Sequence, residues 1–255
     1  MDNINSLIEI LDKSFGYFKT ELFFEPGIEL VEKALIKIAL DKNIISKIPG
    51  AFELAEKLSQ VQNQQNFEER ETLLIDLYLL LHKFGCGYSD MEQNFISEKK
   101  GIKWLPGGIM PIILTSYLMN EDYVFADLGA GNGLQGLILQ SISPHKKTRL
   151  IEISESHLMA GRAYAKALGF NNESILFENN DILSSDFKDI DIFYMYRPAR
   201  PMNGGKNFYI RLSEKFEQME KEFFLVSVAD CFEPFIKQDC LTVYSNEFMK
   251  VFLFR

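Results

Sequence analysis

The chain has 255 residues, which is enough for one large domain or two small ones. Hydrophobic residues make up 47% of it and charged residues 25%, the balance of a globular protein with a substantial core. The formal net charge of −9 argues against a general nucleic-acid-binding protein, because phosphate contacts need clustered Lys and Arg. A small basic patch is still compatible with that charge.

Three scattered cysteines, Cys86, Cys231 and Cys240, predict neither a disulfide framework nor a zinc site, and no other metal site is predicted. Residues Met1–Ser6 are polar and unlike a signal peptide. No apolar run approaches the roughly 20 residues that cross a bilayer. We therefore expect a cytoplasmic protein with no membrane partner.

The first hundred residues carry helical patterns only. Apolar residues recur every three or four positions over Ile4–Phe18. Pro26 then opens a second helix at its first turn, where a missing N–H donor costs nothing. The pattern continues in Ala51–Val61 and Glu68–Phe84, on either side of a polar loop, Gln62–Asn66.

We predict that residues 1–100 form a helical cap whose boundary lies between Ser89 and Gly101. The cap is interpreted as a lid that selects a substrate. A bundle that stabilises the chain or joins it into a homodimer is the alternative, and the sequence separates the two only weakly.

Residues Val124–Gly136 read V-F-A-D-L-G-A-G-N-G-L-Q-G and predict a strand, a glycine turn and a helix. The alternating glycines suit a backbone that turns tightly or lets a ligand lie against it. The following helix points free N–H groups and the positive end of its dipole at that turn. The unit is therefore interpreted as a ligand-binding loop.

Asp127, at the end of this strand, indicates which ligand the loop holds. Gly131, Gly133 and Gly136 satisfy the dinucleotide pattern G-x-G-x-x-G, which is a weak signal by itself. A carboxylate just before the glycines would oppose a pyrophosphate but would favour an ammonium or sulfonium group. A nicotinamide-dependent oxidoreductase leaves Asp127 unexplained and stays open as an alternative.

The run Asp127–Gly133, D-L-G-A-G-N-G, resembles the first motif of the class I S-adenosylmethionine-dependent methyltransferases, D/E-x-G-x-G-x-G, at every defined position. The resemblance covers residues 101–255. It implies an α/β fold, a Rossmann-like sheet of seven strands with the last one antiparallel and helices on both faces. It also implies S-adenosylmethionine as cofactor, held by Asp127, Gly129, Gly131 and Gly133.

Two further acidic residues follow the next strands. Arg149–Ile153 predicts a second strand, and Glu152 lies nineteen residues after the last glycine of the motif, where an acidic side chain accepts hydrogen bonds from ribose. After a third strand, the resemblance implies that Asp181 receives the adenine amino group while Ile182 packs on the ring. Ile153 is also predicted to contact the cofactor. A solvent-facing Glu152 and a plain turn residue at Asp181 are the alternatives.

The segment Lys99–Gly108 leads into a predicted helix, Ile109–Met119, that precedes the first strand. In the resembled family the loop at this point often contacts the cofactor, which implies contacts from Trp104 and Gly107. A simple packing role for Trp104 is the alternative.

The fourth strand ends at Tyr196, where the resembled family places groups that handle the methyl acceptor. The Asn/Asp-Pro-Pro-Tyr/Phe motif of DNA and protein amine methyltransferases is absent there, and Tyr194, Tyr196 and Arg197 stand in its place. These three are the predicted catalytic or acceptor-orienting residues. Asp230 and His82 are weaker candidates.

A fifth strand, Phe223–Val228, and a closing hairpin, Leu241–Ser245 with Phe248–Phe254, complete the predicted sheet. The predicted function is an S-adenosylmethionine-dependent methyltransferase with an unidentified acceptor, a small molecule being favoured over protein or nucleic acid. A protein that binds the cofactor without catalysis stays open, because no general base is obvious.

Overall fold

The computed structural model describes residues 26–61, 67–85, 87–98, 101–102, 105, 107–202, 204–237 and 239–255. The predicted helix Ile4–Phe18, the loop Gln62–Asn66, Cys86 and Trp104 lie outside these residues. All strands named below lie inside them.

The helical character of the N-terminal part is confirmed where the structure describes it, including the helix start at Pro26 and the helix Ala51–Val61. A four-residue helix and a helix across the expected domain boundary were not predicted. The described helices before residue 101 are Pro26–Ala39 (α1), Lys42–Ile45 (α2), Ala51–Val61 (α3), Phe67–Lys83 (α4) and Asp90–Glu98 (α5).

Helix α5 begins with a reciprocal cap between Ser89 and Glu92. The Ser89 N–H donates to Glu92 Oε2 at 2.7 Å, and the Glu92 N–H donates to Ser89 Oγ at 3.3 Å. This is the capping box that Ser-x-x-Glu patterns form at helix N-termini. The sequence signal for this helix was therefore present at residues 89–92, within the segment read only as a boundary.

The remaining elements form one seven-stranded sheet in the order β3-β2-β1-β4-β5-β7-β6. β7 is antiparallel to both of its neighbours, whereas β1 to β5 are parallel, which confirms the expected Rossmann-like α/β fold. The strands are Val124–Leu128 (β1), Lys147–Glu152 (β2), Ile175–Asn179 (β3), Ile192–Tyr196 (β4), Phe223–Val228 (β5), Cys240–Ser245 (β6) and Met249–Phe254 (β7). The helices among them are Met110–Ser116 (α6), Leu134–Ile142 (α7), Glu155–Leu168 (α8) and Lys206–Phe216 (α9).

Strand β1 is buried along its whole length, as a central parallel strand must be when helices cover both faces. Phe125 contributes to the apolar core on one face of the sheet, and Val124, Ala126 and Leu128 contribute to the core on the other. In the parallel register Asp127 lies beside Tyr194 of β4. The polar end of β1 is therefore enclosed on both sides by neighbouring strands.

The turn after β1 depends on glycine for close packing of α7 on the sheet. Gly133 has a left-handed backbone, with φ at 70°, and a Cβ placed there would lie 2.6 Å from Leu150 Cδ1. A Cβ at Gly136 would also lie 2.6 Å from Leu150. Side chains at either position would push α7 away from β2.

Helices α1 to α4 share one apolar core with the first face of the sheet. Helix α1 packs on α7 and α8, and α4 packs on α3. A bidentate ion pair links α4 to α1, with Arg70 Nε and Nη2 donating to the two carboxylate oxygens of the buried Glu32 at 2.6 and 2.5 Å. The helices are thus fixed against the sheet from which the site is built.

Candidate functional site

A cleft opens at the carboxyl ends of β1, β2 and β4, where the strand order of the sheet reverses. Parallel α/β sheets bind ligands at this point. The empty volume of the cleft is about 1030 Å³, including space open to solvent, which is large enough for a nucleoside-sized ligand.

The glycine loop lines the cleft with Gly129, Ala130 and Gly131. Gly131 has φ at 57°, and no atom lies within 4 Å of the position that a Cβ would take. This backbone is in the region that favours glycine, and the space beside it is open. A ligand can therefore lie directly against the loop at Gly131.

Glu152, at the end of β2, orders the loop and presents its carboxylate to the cleft. Its Oε2 accepts a hydrogen bond from the Gly131 N–H at 2.9 Å, and its Oε1 accepts one from the Ser154 N–H at 3.0 Å. Burial raises the pKa of Glu152, and these N–H donors oppose that rise. Each carboxylate oxygen has a second lone pair, so Glu152 can also accept hydrogen bonds from ligand hydroxyls.

Asp181 and Ile182 lie next to each other on the cleft wall. Asp181 caps a short 3-10 turn, Ile182–Ser184, by accepting the Leu183 N–H at 3.0 Å. Ile182 is mostly buried and packs in the second core, and Ile153 lines the same wall. The arrangement offers an acceptor and a flat apolar surface together, which a heterocyclic base with an amino group requires.

Asp127 is the most unusual polar group near the cleft. It is 2% exposed, and its Oδ2 has no hydrogen-bond partner within the described structure. Burial, with a smaller contribution from the charge of Glu152, raises the pKa of Asp127 to about 8. A buried carboxyl without a partner costs free energy, and a cation placed beside it would remove that cost.

Tyr194 does not line the cleft, which corrects the expectation that it faces an acceptor. Its side chain is fully buried, and Gln135 Nε2 donates to its hydroxyl at 3.1 Å. Burial raises the pKa of Tyr194 well above its usual value, with the charge of Asp127 adding to the rise. Tyr194 lies two residues before the end of β4, so it is deeper in the sheet than Tyr196.

Gly107 also lies behind the wall rather than on it. A Cβ at Gly107 would come within 1.8 Å of Gln135 Nε2, and the same amide donates to the Gly108 carbonyl at 3.3 Å. Gly107 therefore packs on Gln135, whose side chain lines the cleft. The expected contact of Trp104 concerns a residue outside the described ones and stays a prediction.

Tyr196 and Arg197 line the cleft directly after β4. Tyr196 is partly buried, makes an edge contact with the Phe248 ring at 5.9 Å, and has a pKa raised by burial. Arg197 has φ at 39°, and its Nε is buried without a hydrogen-bond partner in the described part of the chain. These two residues can contact a second ligand that lies beside a ligand bound at the glycine loop.

The two weaker candidates for the acceptor side differ in their positions. Asp230 does not line the cleft, because its carboxylate accepts hydrogen bonds from Ser227 Oγ and from the Phe232 N–H and pairs with Lys250. His82 does line it. Burial lowers the pKa of His82 to about 4, with the nearby His157 adding to the effect, so its ring is neutral at pH 7.

Several cleft residues escaped the sequence analysis because they come from α5, from the loop before it and from α8 rather than from the ends of strands. Those that line the cleft are Tyr88, Phe95, Ile96 and His157. His157 is buried with Nδ1 unpartnered in the described structure, its ring lies 4.5 Å from the Tyr88 ring, and burial lowers its pKa to about 4. The capping box that starts α5 was the one signal that could have indicated this wall.

Within the part of the chain that the structure covers, no three His, Cys, Asp or Glu side chains are grouped to hold a metal ion. In the same residues, no helix combines the length and the apolar character that crossing a membrane requires.

No family model and no curated protein matches the chain. Solved structures are similar to it over little more than half its length. TrmK of M. capricolum in complex with S-adenosyl-homocysteine is 11% identical, with a TM-score of 0.40, over 58% of this chain and 67% of that chain. An rRNA methylase from Streptococcus thermophilus is 14% identical, with a TM-score of 0.41, over 56% of this chain and 92% of that chain.

A third similar structure is precorrin-6y C5,15-methyltransferase from Geobacter metallireducens GS-15, 13% identical, with a TM-score of 0.38, over 56% of this chain and 85% of that chain. One of these proteins is named for rRNA and another for a precorrin, so the preference for a small-molecule acceptor gains no support from them. From its own strand order and its antiparallel seventh strand, the chain has the Rossmann-like methyltransferase fold that its glycine-loop motif implies.

Proposed function

We propose that the chain binds S-adenosylmethionine in this cleft and transfers its methyl group to an acceptor. The observation that carries the proposal is Asp127, a buried carboxyl whose Oδ2 has no partner among the described residues, at the start of a glycine loop that is open at Gly131. S-adenosylmethionine carries an ammonium group and a sulfonium group, and either would stabilise the charged form of this carboxyl.

The other cleft residues fit the remaining parts of that cofactor. Glu152 would accept hydrogen bonds from the ribose hydroxyls, and Asp181 with Ile182 would hold the adenine. Gly131 leaves room for the backbone to approach the ligand. A nicotinamide dinucleotide, in contrast, would bring its pyrophosphate to the loop and would supply no cation to the buried carboxyl of Asp127.

When bound, the cofactor supplies a methyl carbon to which the acceptor atom bonds as the sulfur–carbon bond breaks, the sulfur keeping the electron pair. The chain's contribution is to hold the acceptor in line with that carbon, which is a proximity effect. The neutral His82 and His157, with pKa values of about 4, are weak bases. An acceptor that must lose a proton would release it to water or to a group of its own.

The acceptor class is not indicated by the whole-chain charge, because the charge is unevenly distributed. Residues 192–213, which run from the start of β4 into α9, contain four Lys or Arg and no Asp or Glu. Elsewhere acidic residues dominate, since the chain has 36 Asp and Glu against 27 Lys and Arg. The acceptor side of the cleft is thus locally basic, and a small molecule and a nucleic acid are both compatible with it.

Isothermal titration calorimetry with S-adenosylmethionine, S-adenosylhomocysteine and NAD tests the cofactor assignment. We expect micromolar binding of the first two and none of NAD. Asp127→Asn should weaken the adenosyl ligands at least tenfold, whereas Asp122→Asn, at an exposed position before β1, should leave them unchanged. Binding of NAD alone would favour the oxidoreductase alternative.

A protein that binds the cofactor without using it is the remaining alternative. Incubating the chain with S-adenosylmethionine and fractions of a cell extract separates the two, because catalysis produces S-adenosylhomocysteine and a methylated product. Product formation that depends on one fraction and is lost in Asp127→Asn would support catalysis. Binding without turnover in any fraction would support the non-catalytic protein.

A further inference from the structure

Arg197 is a partly buried residue that lines the acceptor side of the cleft. Its Nε is buried and donates to no acceptor among the described residues, and none of their carboxylates forms an ion pair with it. Burying a guanidinium N–H without an acceptor is costly. Such a group is satisfied when an anion binds beside it.

The backbone at Arg197 is held in a conformation that few non-glycine residues adopt. Its φ is 39°, and Ala229, which follows β5, has φ at 49°. The residues before them, Tyr196 and Val228, pair in the parallel register. The only non-glycine residues with positive φ that the structure describes are therefore side by side at the cleft edge. Backbone strain of this kind clusters at active and ligand-binding sites, where the surrounding structure holds the strained residue in place.

The surroundings of Arg197 are fixed by three further contacts. Gly101 forms an isolated antiparallel bridge with Ala199, and the Ile102 N–H donates to the Pro198 carbonyl at 3.1 Å. The Tyr209 hydroxyl of α9 donates to the Ala199 carbonyl at 2.5 Å. The segment that carries Arg197 is thus held between the N-terminal part and α9.

The first turn of α9 adds positive potential to the same side. This helix of 11 residues begins at Lys206 after Gly205, with no side-chain cap and no acidic residue in its first turn. Phe208 of that turn lines the cleft with Arg197. The positive end of the helix dipole favours an anion there, although the Asn207 and Phe208 N–H groups already donate to the Gly204 and Gly205 carbonyls. The charge of Arg197 also opposes the burial-driven rise in the pKa of Tyr209 in this helix.

From these observations we infer that Arg197 recognises a phosphate group on the methyl acceptor. A phosphate is favoured over a carboxylate because its tetrahedral oxygens can face the guanidinium and the first turn of α9 together, in a stretch without acidic residues. The inference rests on the proposed function, since the acceptor is defined by methyl transfer. The phosphate can belong to a small phosphate ester or to a nucleic-acid backbone.

The test uses the full chain with the cofactor site either empty or filled by S-adenosylhomocysteine. Inorganic phosphate and acetate are titrated while amide signals are followed by two-dimensional NMR, with the Ala199 amide as reporter. The variants are Arg197→Gln and, as a matched control, Arg255→Gln. Arg255 follows β7 at the ends of the strands that lie away from the cleft. Arg255→Gln changes the net charge by the same amount as Arg197→Gln.

We expect phosphate to shift the Ala199 signal in the wild type whether or not S-adenosylhomocysteine is present, and acetate to bind at least tenfold more weakly. Arg197→Gln should weaken phosphate at least tenfold, whereas Arg255→Gln should stay within twofold. Absence of a phosphate effect in the wild type, or equal losses in the two variants, would overturn the inference. A phosphate effect that S-adenosylhomocysteine abolishes would also overturn it, because the anion would then occupy the cofactor site.

A second arm identifies the source of the phosphate. A ten-nucleotide oligouridylate is titrated at several salt concentrations with the cofactor site filled. A slope of log affinity against log salt that corresponds to several phosphates indicates a nucleic-acid acceptor, and binding no tighter than inorganic phosphate indicates a small ester. Loss of oligonucleotide binding in Arg197→Gln but not in Arg255→Gln supports the inference. Equal binding by the wild type and both variants contradicts it.

Calorimetry with S-adenosylhomocysteine on the same samples separates this inference from the proposed function. If the wild type does not bind it, the proposed function fails, while the phosphate titration of the empty protein still reports on Arg197. If Arg197→Gln alone loses S-adenosylhomocysteine, Arg197 holds the carboxylate of the cofactor, and the acceptor inference is wrong.

Discussion

Asn132, in the middle of the glycine loop, donates from Nδ2 to the carbonyl of Leu81 near the end of α4, 2.9 Å away. The same amide lies within 3.1 Å of the His82 carbonyl and 3.0 Å of the Phe84 carbonyl. These are carbonyls that a helix C-terminus leaves without partners in the helix. The cofactor loop is therefore bonded to the N-terminal helices, and the two parts cannot separate without losing these bonds.

Asn132→Ala should destabilise the chain by about 1–3 kcal/mol, because the His82 and Phe84 carbonyls lose this donor, whereas the Leu81 carbonyl keeps the Tyr164 hydroxyl. Chemical denaturation measures the loss, and Asn120→Ala, at an exposed position, is the control. Limited proteolysis should show faster cleavage after α4 in the variant. Equal stability of the two variants would mean that water replaces the Asn132 amide without cost.

Gly131→Val should abolish binding of S-adenosylhomocysteine while the helix content, measured by circular dichroism, stays near normal. The valine would fill the open space beside the loop and would occupy a backbone with φ at 57°. Gly87→Val is the control, since no atom lies within 4 Å of its Cβ position and its backbone is not left-handed. Unchanged affinity in Gly131→Val would show that the ligand does not lie against the glycine loop.

Glu152→Ala should lower the affinity for S-adenosylhomocysteine by roughly tenfold to a hundredfold, since hydrogen bonds to a charged group contribute about 1.5–3 kcal/mol. The substitution also removes the acceptor for the Gly131 N–H. Glu152→Gln keeps one oxygen acceptor and should lose less. A decrease below threefold in Glu152→Ala would mean that the carboxylate does not contact the ligand.

The pKa of Asp127, raised to about 8 in the ligand-free chain, predicts proton release when the cofactor binds. At pH 7 the carboxyl is mostly protonated, and an ammonium placed beside it lowers its pKa, so about 0.5–1 proton should leave. Calorimetry in two buffers with different ionisation enthalpies counts these protons. Asp127→Asn should release none from this position, and zero release by the wild type would contradict the assignment.

The same carboxyl makes the ligand-free chain less stable as the pH rises. Because the pKa of Asp127 is raised in the folded state, the contribution of this group to the free energy of unfolding is largest below about pH 4. It is lost as the pH rises towards 8. Asp127→Asn should therefore raise the melting temperature at pH 8 by roughly 2–4 °C and have a smaller effect at pH 5. An equal effect at both pH values would show that the carboxyl does not titrate in this range.

The segment between the helices and β1 gives a prediction about the lid. Gly101 and Ile102 line the cleft, so a bound ligand should favour one arrangement of this segment. We expect S-adenosylhomocysteine to protect Lys99–Lys103 from trypsin, as judged by mass spectrometry of the fragments. Identical digestion with and without ligand would favour a bundle whose role is stability or pairing.

Much of the sheet could be predicted because its strands and glycine turn carry local signals. Asp127, Gly131 and Glu152 follow buried strands at fixed spacings, and the parallel register brings their ends to one edge of the sheet. The hairpin that closes the sheet likewise follows from alternation around Asn246. These features depend on periodicity and on the spacing of a single βαβ unit.

The rest of the site depends on depth and on distant contacts, which no local pattern encodes. Tyr194 and Tyr196 are two residues apart and lie on the same face of β4, yet only Tyr196, at the end of the strand, lines the cleft. Gly107 reads as a flexible turn, but its contact with Gln135 depends on how α7 docks. Asn132 occupies a variable position of the motif, and its partners lie about fifty residues earlier in the chain.

The central claim is that the carboxyl of Asp127 faces a cationic group of the cofactor, and a double-mutant cycle on the ammonium group tests it most directly. The affinities of S-adenosylhomocysteine and of its analogue without the amino group are measured for the wild type and for Asp127→Asn. We predict that the wild type prefers the amino form at least tenfold and that Asp127→Asn binds both forms equally. If both proteins show the same preference, Asp127 does not contact the ammonium group, and the assignment of the cleft to S-adenosylmethionine loses its main support.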